Sequence, residues 1–312
     1  MLAFWIATAV LSFLGLLIFG VSYLSYRLTF RSAKPTAKEY VPDFIRASLQ
    51  SYKDEMAAWS QLVREAPHRE VAIRTFDGLT LRGYYYEYCP EAPVEILFHG
   101  YRSMGVRDMG GVSRCFALGH NALIVDQRGC GRSDGHVITF GIDESRDCRA
   151  WAYYVADKLA PHSKIILSGV SMGAATVMMC ADRDLPDAVV GIIADCGYTS
   201  PEAIIKLVME REYKLPVSLI YPLVRLGGLL FGDFDTNSNA PVRALKHSRL
   251  PVLFIHGEAD GFIPSDMSVA NYNACSTKKR LVTVPGAEHG LSFLADREAY
   301  IAAVKDFFAP LL

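Results

Sequence analysis

The pentapeptide Gly169-Val170-Ser171-Met172-Gly173 places one hydroxyl between two glycines, with the apolar run KIILS ahead of it and AATVMMCA behind it. Read as strand, turn and helix, the segment forces its central residue into a strained backbone conformation, and glycines two positions either side remove the Cβ atoms that would collide there. Ser171 is then lifted out at the edge of a sheet. Its Oγ lies near the first turn of the following helix, where unpaired N–H groups and the helix dipole favour developing negative charge. These are the requirements of an acyl-transfer nucleophile.

A serine hydroxyl needs a base, and the base needs a carboxylate to orient it. The run PVLFIHGEADGFIP carries Asp260 in a polar turn after a strand, and RLVTVPGAEHG carries His289 at the end of the next. The chain order Ser171, Asp260, His289 is the one expected when all three side chains meet at one sheet edge. Asp195, in IIADC, is the rival acid from one strand earlier. Two backbone N–H groups should complete an oxyanion hole: that of Met172, and that of Tyr101 after His99-Gly100 in EILFHGYRSMG. His99 is expected to order that loop. No metal or organic cofactor is expected, since the chain has no HExxH and no His/Asp cluster at ligand spacing.

Eight β-rich runs can position these groups: VAIR, LRGYYYEY, VEILFHG, NALIVDQ, KIILSG, AVVGIIADC, PVLFIHG and RLVTVPG. The first two flank Phe76-Asp77-Gly78, a hairpin signal, while later ones are separated by helix-length segments such as Glu144–Leu159. The pattern predicts an α/β fold with a mostly parallel eight-stranded sheet covered by helices on both faces. One connection, about residues 197–250, is long enough for a small helical cap. Its helical periodicity is interrupted by Pro216 and Gly227-Gly228, and its apolar stretch Leu215–Phe231 is expected to cover a pocket.

Met1–Tyr26 contains no charged side chain and is long enough for a transmembrane helix, which needs about 20 apolar residues. A cleaved signal peptide is the competing reading, but a charged leading region and an AxA-like cleavage site are missing. Arg27, Arg31, Lys34 and Lys38 follow, which places that flank and the folded domain in the cytoplasm. The expected organisation is an anchor over 1–26, a linker over 27–70 with an amphipathic helix within Tyr40–Pro67, and a catalytic domain over 71–312. A net charge of −1, with no basic run longer than Lys278-Lys279-Arg280, excludes an electrostatic nucleic-acid footprint. Seven scattered cysteines without a CxxC pair exclude a zinc ribbon or a redox dithiol.

Five ordered motifs carry a family resemblance: HG after the third strand, DQRGCGRSDG after the fourth, GVSMGA, HGEAD and GAEHG. From about Val71 to Leu312 the chain resembles the α/β-hydrolase superfamily. As a whole it looks like membrane-anchored bacterial serine hydrolases, esterase- or lipase-like, related to serine peptidase and monoacylglycerol lipase branches. The resemblance implies that Asp126, Arg128, Gly129, Gly131 and Ser133 form a structural loop beside the site. The oxyanion loop departs from the HGGG run of many lipases. The expected activity is hydrolysis of a small carboxylic ester or monoacylglycerol-like lipid. A peptidase or amidase, or an acyltransferase, would use the same triad, and a membrane-tethered binding scaffold is the reading from another class. A dehalogenase is excluded because the elbow carries serine rather than a carboxylate.

Overall fold

The computed structural model describes residues 1–32, 50–105 and 110–312. Lys34, Lys38 and the first part of the helix expected within Tyr40–Pro67 lie outside the described residues. The β-rich runs form β1 (Arg69–Arg74), β2 (Thr80–Tyr86), β3 (Val94–Phe98), β4 (Asn121–Val125), β5 (Ile165–Val170), β6 (Val189–Asp195), β7 (Val252–Gly257) and β8 (Lys279–Val284). They make one sheet in the order β1-β2-β4-β3-β5-β6-β7-β8. β2 runs antiparallel to both of its neighbours, and the pairs from β4 through β8 are all parallel.

Helices are α1 (Leu2–Thr29), α2 (Lys53–Glu65), α3 (Gly111–Leu118), α4 (Glu144–Tyr154), α5 (Met172–Cys180), α6 (Pro201–Arg211), α7 (Val217–Phe231), α8 (Asp266–Ala274) and α9 (Arg297–Phe308). Because side chains alternate along a strand, one face of the sheet offers Ile96, Leu123 and Leu167 to Trp151 of α4 and Val177 of α5. The other offers Ile166, Ile193 and Leu253 to Val304 and Phe308 of α9. β3, β4 and β7 are buried at every position. That burial even covers Glu95 in β3, whose two oxygens meet Arg114 Nη2 at 2.7 Å and His120 Nδ1 at 2.8 Å. A buried carboxylate survives there because its charge is paired and hydrogen-bonded.

The cap consists of α6 and α7, and it breaks at only one of the two places the sequence pattern suggested. Pro216 stands at the N-cap of α7, while Gly227 and Gly228 lie inside the helix. The absent side chain of Gly227 serves a close crossing with α1: a Cβ there would overlap the Ser22 carbonyl oxygen and approach Tyr26 N within 3.2 Å. Small residues at a crossing let two backbones meet and leave the neighbouring side chains to pack around the contact. Phe231 accordingly meets the rings of Phe19 and Tyr23 edge-on, each with centroids 5.1 Å apart.

α1 is thus divided along its length. Its residues 2–20 are exposed, whereas Ser22, Tyr26 and the following Phe30 are buried against the cap and the loop that contains Ile138 and Phe140. At 1.5 Å per residue the exposed part spans about 30 Å, the thickness of a bilayer's hydrocarbon core.

Candidate active site

The turn from β5 into α5 holds Ser171 at φ 57° and ψ −116°, in the left-handed region that a residue with a Cβ normally avoids. Both flanking glycines are sterically required. A Cβ on Gly169 would overlap the Gly173 carbonyl group, and one on Gly173 would overlap the Phe98 carbonyl oxygen at the end of β3. The Ser171 N–H donates to the Asp195 carbonyl at 2.9 Å, so the elbow is also fastened to β6. Ser171 is the N-cap of α5, which makes the Met172 N–H the first of the helix donors that have no acceptor inside the helix.

β7 and β8 deliver the other two side chains. Their following loops touch because position 257 is glycine: a Cβ there would overlap the Ala287 carbonyl, which also accepts the Ala259 N–H at 3.0 Å. This close approach aligns Asp260 with His289. The His289 Nδ1–H donates to Asp260 Oδ2 at 2.7 Å, and Nε2 lies 3.0 Å from Ser171 Oγ. A carboxylate only accepts, so Nδ1 carries the proton and Nε2 presents a lone pair to the serine hydroxyl. Asp260 Oδ1 accepts the N–H groups of Phe262 at 2.9 Å and Ile263 at 2.8 Å. Burial acts to raise the Asp260 pKa, but hydrogen bonds from His256 and His289 outweigh it and hold the carboxyl well below its usual range.

His256 was not singled out from the sequence. It lies wholly buried in β7, with Nε2 2.9 Å from the Ile263 carbonyl and 3.2 Å from Asp260 Oδ2. Its Nδ1 meets Ser268 Oγ at 2.6 Å. The only signal available was an imidazole four residues before Asp260, at the end of a strand. Burial pulls its pKa down, but the Asp260 and Ile263 bonds more than compensate, so the net shift is upward.

Asp195 takes a different partner. Its Oδ1 accepts the Ser292 hydroxyl at 3.0 Å, whereas the carboxylate bonded to His289 is that of Asp260. Complete burial raises the Asp195 pKa to about 6. Cys196, Asp260 and His289 offer ligand atoms within 4.8 Å of one another. The Cys196 thiol is pushed well above its ordinary pKa by burial and by the Asp195 and Asp260 charges.

The loop after β3 faces the nucleophile: a Cβ on Gly100 would stand 3.7 Å from Ser171 Cβ. His99 Nε2 accepts the Gln127 N–H at 3.1 Å, which leaves Nδ1–H to donate to the Gly100 carbonyl at 2.8 Å. That carbonyl and the Tyr101 N–H belong to one trans peptide unit, so fixing the oxygen fixes the N–H in the opposite direction. Gln127 adds a bond from its side-chain amide to the His99 carbonyl at 2.7 Å and receives Thr176 Oγ1 at 3.2 Å. The neighbouring loop is held by Asp126, whose two oxygens accept the N–H groups of Gly105 at 2.7 Å and Arg132 at 2.9 Å. Ser133 Oγ donates to the Asp126 carbonyl at 2.6 Å, and Arg128 pairs with Asp147 at 2.7 Å. A Cβ on Gly131, at φ 50°, would overlap the Asp126 carboxylate. Gly129 takes φ 70° in the same turn.

A raised carboxyl pKa has a definite effect on stability. Between the unfolded value of about 4 and the folded value of about 6, the folded state keeps a proton at Asp195 that the unfolded chain has lost. Stability therefore falls as pH rises through that window and stays lowered above it. Asp195→Asn should flatten this slope in urea melts between pH 4 and 6 while leaving Asp260 and His289 paired. An unchanged slope would contradict the assignment.

Comparison with known proteins agrees with this architecture. The alpha/beta hydrolase family matches residues 96–303, well over half of the chain. The Bacillus subtilis protein YqkD is 25% identical over 265 residues, 85% of this chain and 86% of its own length. Protein bem46 of Schizosaccharomyces pombe is 27% identical over 252 residues, 78% of this chain and 77% of its own. Among solved structures, an esterase from Pyrococcus furiosus aligns with a TM-score of 0.66 at 19% identity, over 90% of this chain and 98% of that one. A puromycin-hydrolysing peptidase from Mycobacterium tuberculosis aligns with a TM-score of 0.58 at 17% identity, over 78% of this chain and 39% of that one. At such identities the two structures speak for the fold alone. With its mixed eight-stranded sheet, its glycine-flanked elbow and a family match that runs from β3 into α9, the chain belongs to the alpha/beta hydrolase family.

Proposed function

We propose that the protein is a membrane-anchored serine hydrolase that cleaves carboxylic esters of small acyl or monoacylglycerol-like substrates. The observation that carries this reading is the single imidazole whose two nitrogens meet Asp260 at 2.7 Å and Ser171 at 3.0 Å. Ser171 Oγ attacks the ester carbonyl carbon as its proton passes to His289 Nε2. The carbonyl oxygen becomes an oxyanion facing the N–H groups of Met172 and Tyr101, each such donor contributing roughly 3 kcal/mol to the transition state. Collapse breaks the ester C–O bond, and the imidazolium returns the proton to the departing alcohol. Water then repeats the sequence on the acyl-enzyme and restores Ser171. Asp260 keeps the imidazole oriented and stabilises its charged form without taking the proton.

The surroundings favour an apolar acyl group. Met172, Phe140, Tyr198 and Ile263 belong to one buried apolar cluster with the cap residues Ile204 and Val224, and Tyr101 packs against it. The structural relatives include both an esterase and a peptidase, so an amidase on the same triad is the second reading. A binding scaffold would have no use for the strain stored at Ser171.

Retention of α1 as an anchor is supported by its packing. Removing it as a signal sequence would strip Tyr26 and the adjoining chain from a formed apolar cluster. The basic residues Arg27 and Arg31 follow its exposed part, which favours a cytoplasmic domain.

A fluorophosphonate probe should label the full-length wild type and fail to label Ser171→Ala. Asp260→Asn should lower kcat by about 10⁴-fold, and Asp195→Asn by only a few-fold. Turnover of matched p-nitrophenyl esters should peak at one acyl length and exceed that of the corresponding anilides. Labelling that persists in Ser171→Ala removes the mechanism, and faster anilide cleavage selects the amidase. Cys89 is the exposed cysteine. A membrane-impermeant maleimide should reach it only after cell lysis, and labelling in intact cells would reverse the orientation.

A further inference from the structure

The last four carbonyls of a helix have no partner within it and must be satisfied from outside. At the end of α1 the folded domain supplies partners for the Leu28 and Thr29 carbonyls, and both come from the loop that carries the candidate oxyanion donor. The Tyr101 hydroxyl donates to the Thr29 carbonyl at 2.7 Å. Arg102 Nη2 donates to the Leu28 carbonyl at 2.7 Å and to that of Arg31 at 3.2 Å. The Phe30 carbonyl receives the Ile138 N–H at 2.8 Å.

Arg102 itself is held at φ 54°, outside the comfortable range for a long side chain. Such a conformation persists only where the surroundings over-determine it. Here the guanidinium is fixed by the Leu28 and Arg31 carbonyls and also lies over the Tyr101 ring, 4.9 Å from its centroid. That ring also stacks on Phe140, with centroids 5.0 Å apart and planes 29° apart. The peptide unit between Gly100 and Tyr101 is therefore bracketed: His99 holds its oxygen, and the end of α1 holds the side chains that follow its N–H.

We infer that Arg102 is a positioning residue which uses the C-terminus of α1 as a fixed abutment for the oxyanion loop, so that the membrane helix is a working part of the catalytic site. This rests on the serine-hydrolase reading. A cation at a helix C-terminus is favoured by the dipole as well as by the hydrogen bonds. The positive guanidinium is thereby anchored more firmly than a neutral side chain would be. Its effect falls on the transition state alone, because the oxyanion forms only there.

The test uses full-length protein in lipid nanodiscs with a water-soluble ester. Arg102→Ala should lower kcat by about tenfold or more, a fraction of the loss expected for a missing oxyanion donor, with KM within about twofold of wild type. Affinity for a trifluoromethyl ketone, whose hemiketal carries the same oxyanion, should fall by the same factor, while affinity for the product alcohol stays constant. Arg102→Lys should recover part of the loss. If Arg102→Ala does not fold, Tyr101→Phe, which deletes one hydroxyl, should show the same pattern at smaller amplitude. A folded Arg102→Ala or Tyr101→Phe with wild-type kcat and ketone affinity overturns the inference and leaves the serine-hydrolase reading intact. A wild type that neither turns over nor takes a fluorophosphonate overturns both.

Discussion

The Asp260 carboxylate is the group on which the rest of the candidate site depends. Two backbone N–H groups approach one oxygen and two imidazoles approach the other, so a charge that is buried and 9% exposed is compensated from four directions. Without those donors burial would drive the carboxyl to its neutral form, and a neutral acid would no longer dictate the His289 tautomer. With them it stays ionised, Nδ1 must carry the proton, and Nε2 is left as a base directed at Ser171. The geometry in turn requires Gly257, since a side chain there would separate the loops that bring Asp260 and His289 together.

The same logic of backbone approach recurs at the elbow and at the cap. Gly169 and Gly173 let β5, α5 and the end of β3 converge on Ser171, and Gly227 lets α1 cross α7. These contacts join three regions far apart in the chain: the apolar N-terminal helix, the loop after β3 and the cap. Tyr101 and Arg102 are the common neighbours, tied to α1 through its terminal carbonyls. The exposed portion of α1 and the buried end that follows it thus suit two different surroundings, a bilayer and a protein interior.

The strands were legible because short apolar runs separated by turn residues or helix-length segments have few alternatives. Ser171, Asp260 and His289 were legible because each follows such a run, and parallel pairing brings the ends of those strands to one edge. Features decided by contacts distant in sequence were not. Gly227 and Gly228 read as a helix break by local propensity, yet the helix continues through both, with α1 in the space a Gly227 side chain would fill and Phe234 beside Gly228. His256 read as part of a strand, and its role arises only when the following turn folds back to place Asp260 beside it. Asp195 and Asp260 were both plausible acids on strand position. What separates them is the His289 Nδ1 bond, which goes to Asp260, while Asp195 accepts the hydroxyl of Ser292, nearly a hundred residues away.

The mechanism turns on the state of one imidazole, and nitrogen NMR of the wild-type protein labelled with ¹⁵N at histidine side chains reads it directly. At neutral to mildly alkaline pH, His289 should show a protonated Nδ1 and an unprotonated Nε2, a pattern lost in Asp260→Asn. A His289 with its proton on Nε2, or one indifferent to Asp260, would contradict that mechanism.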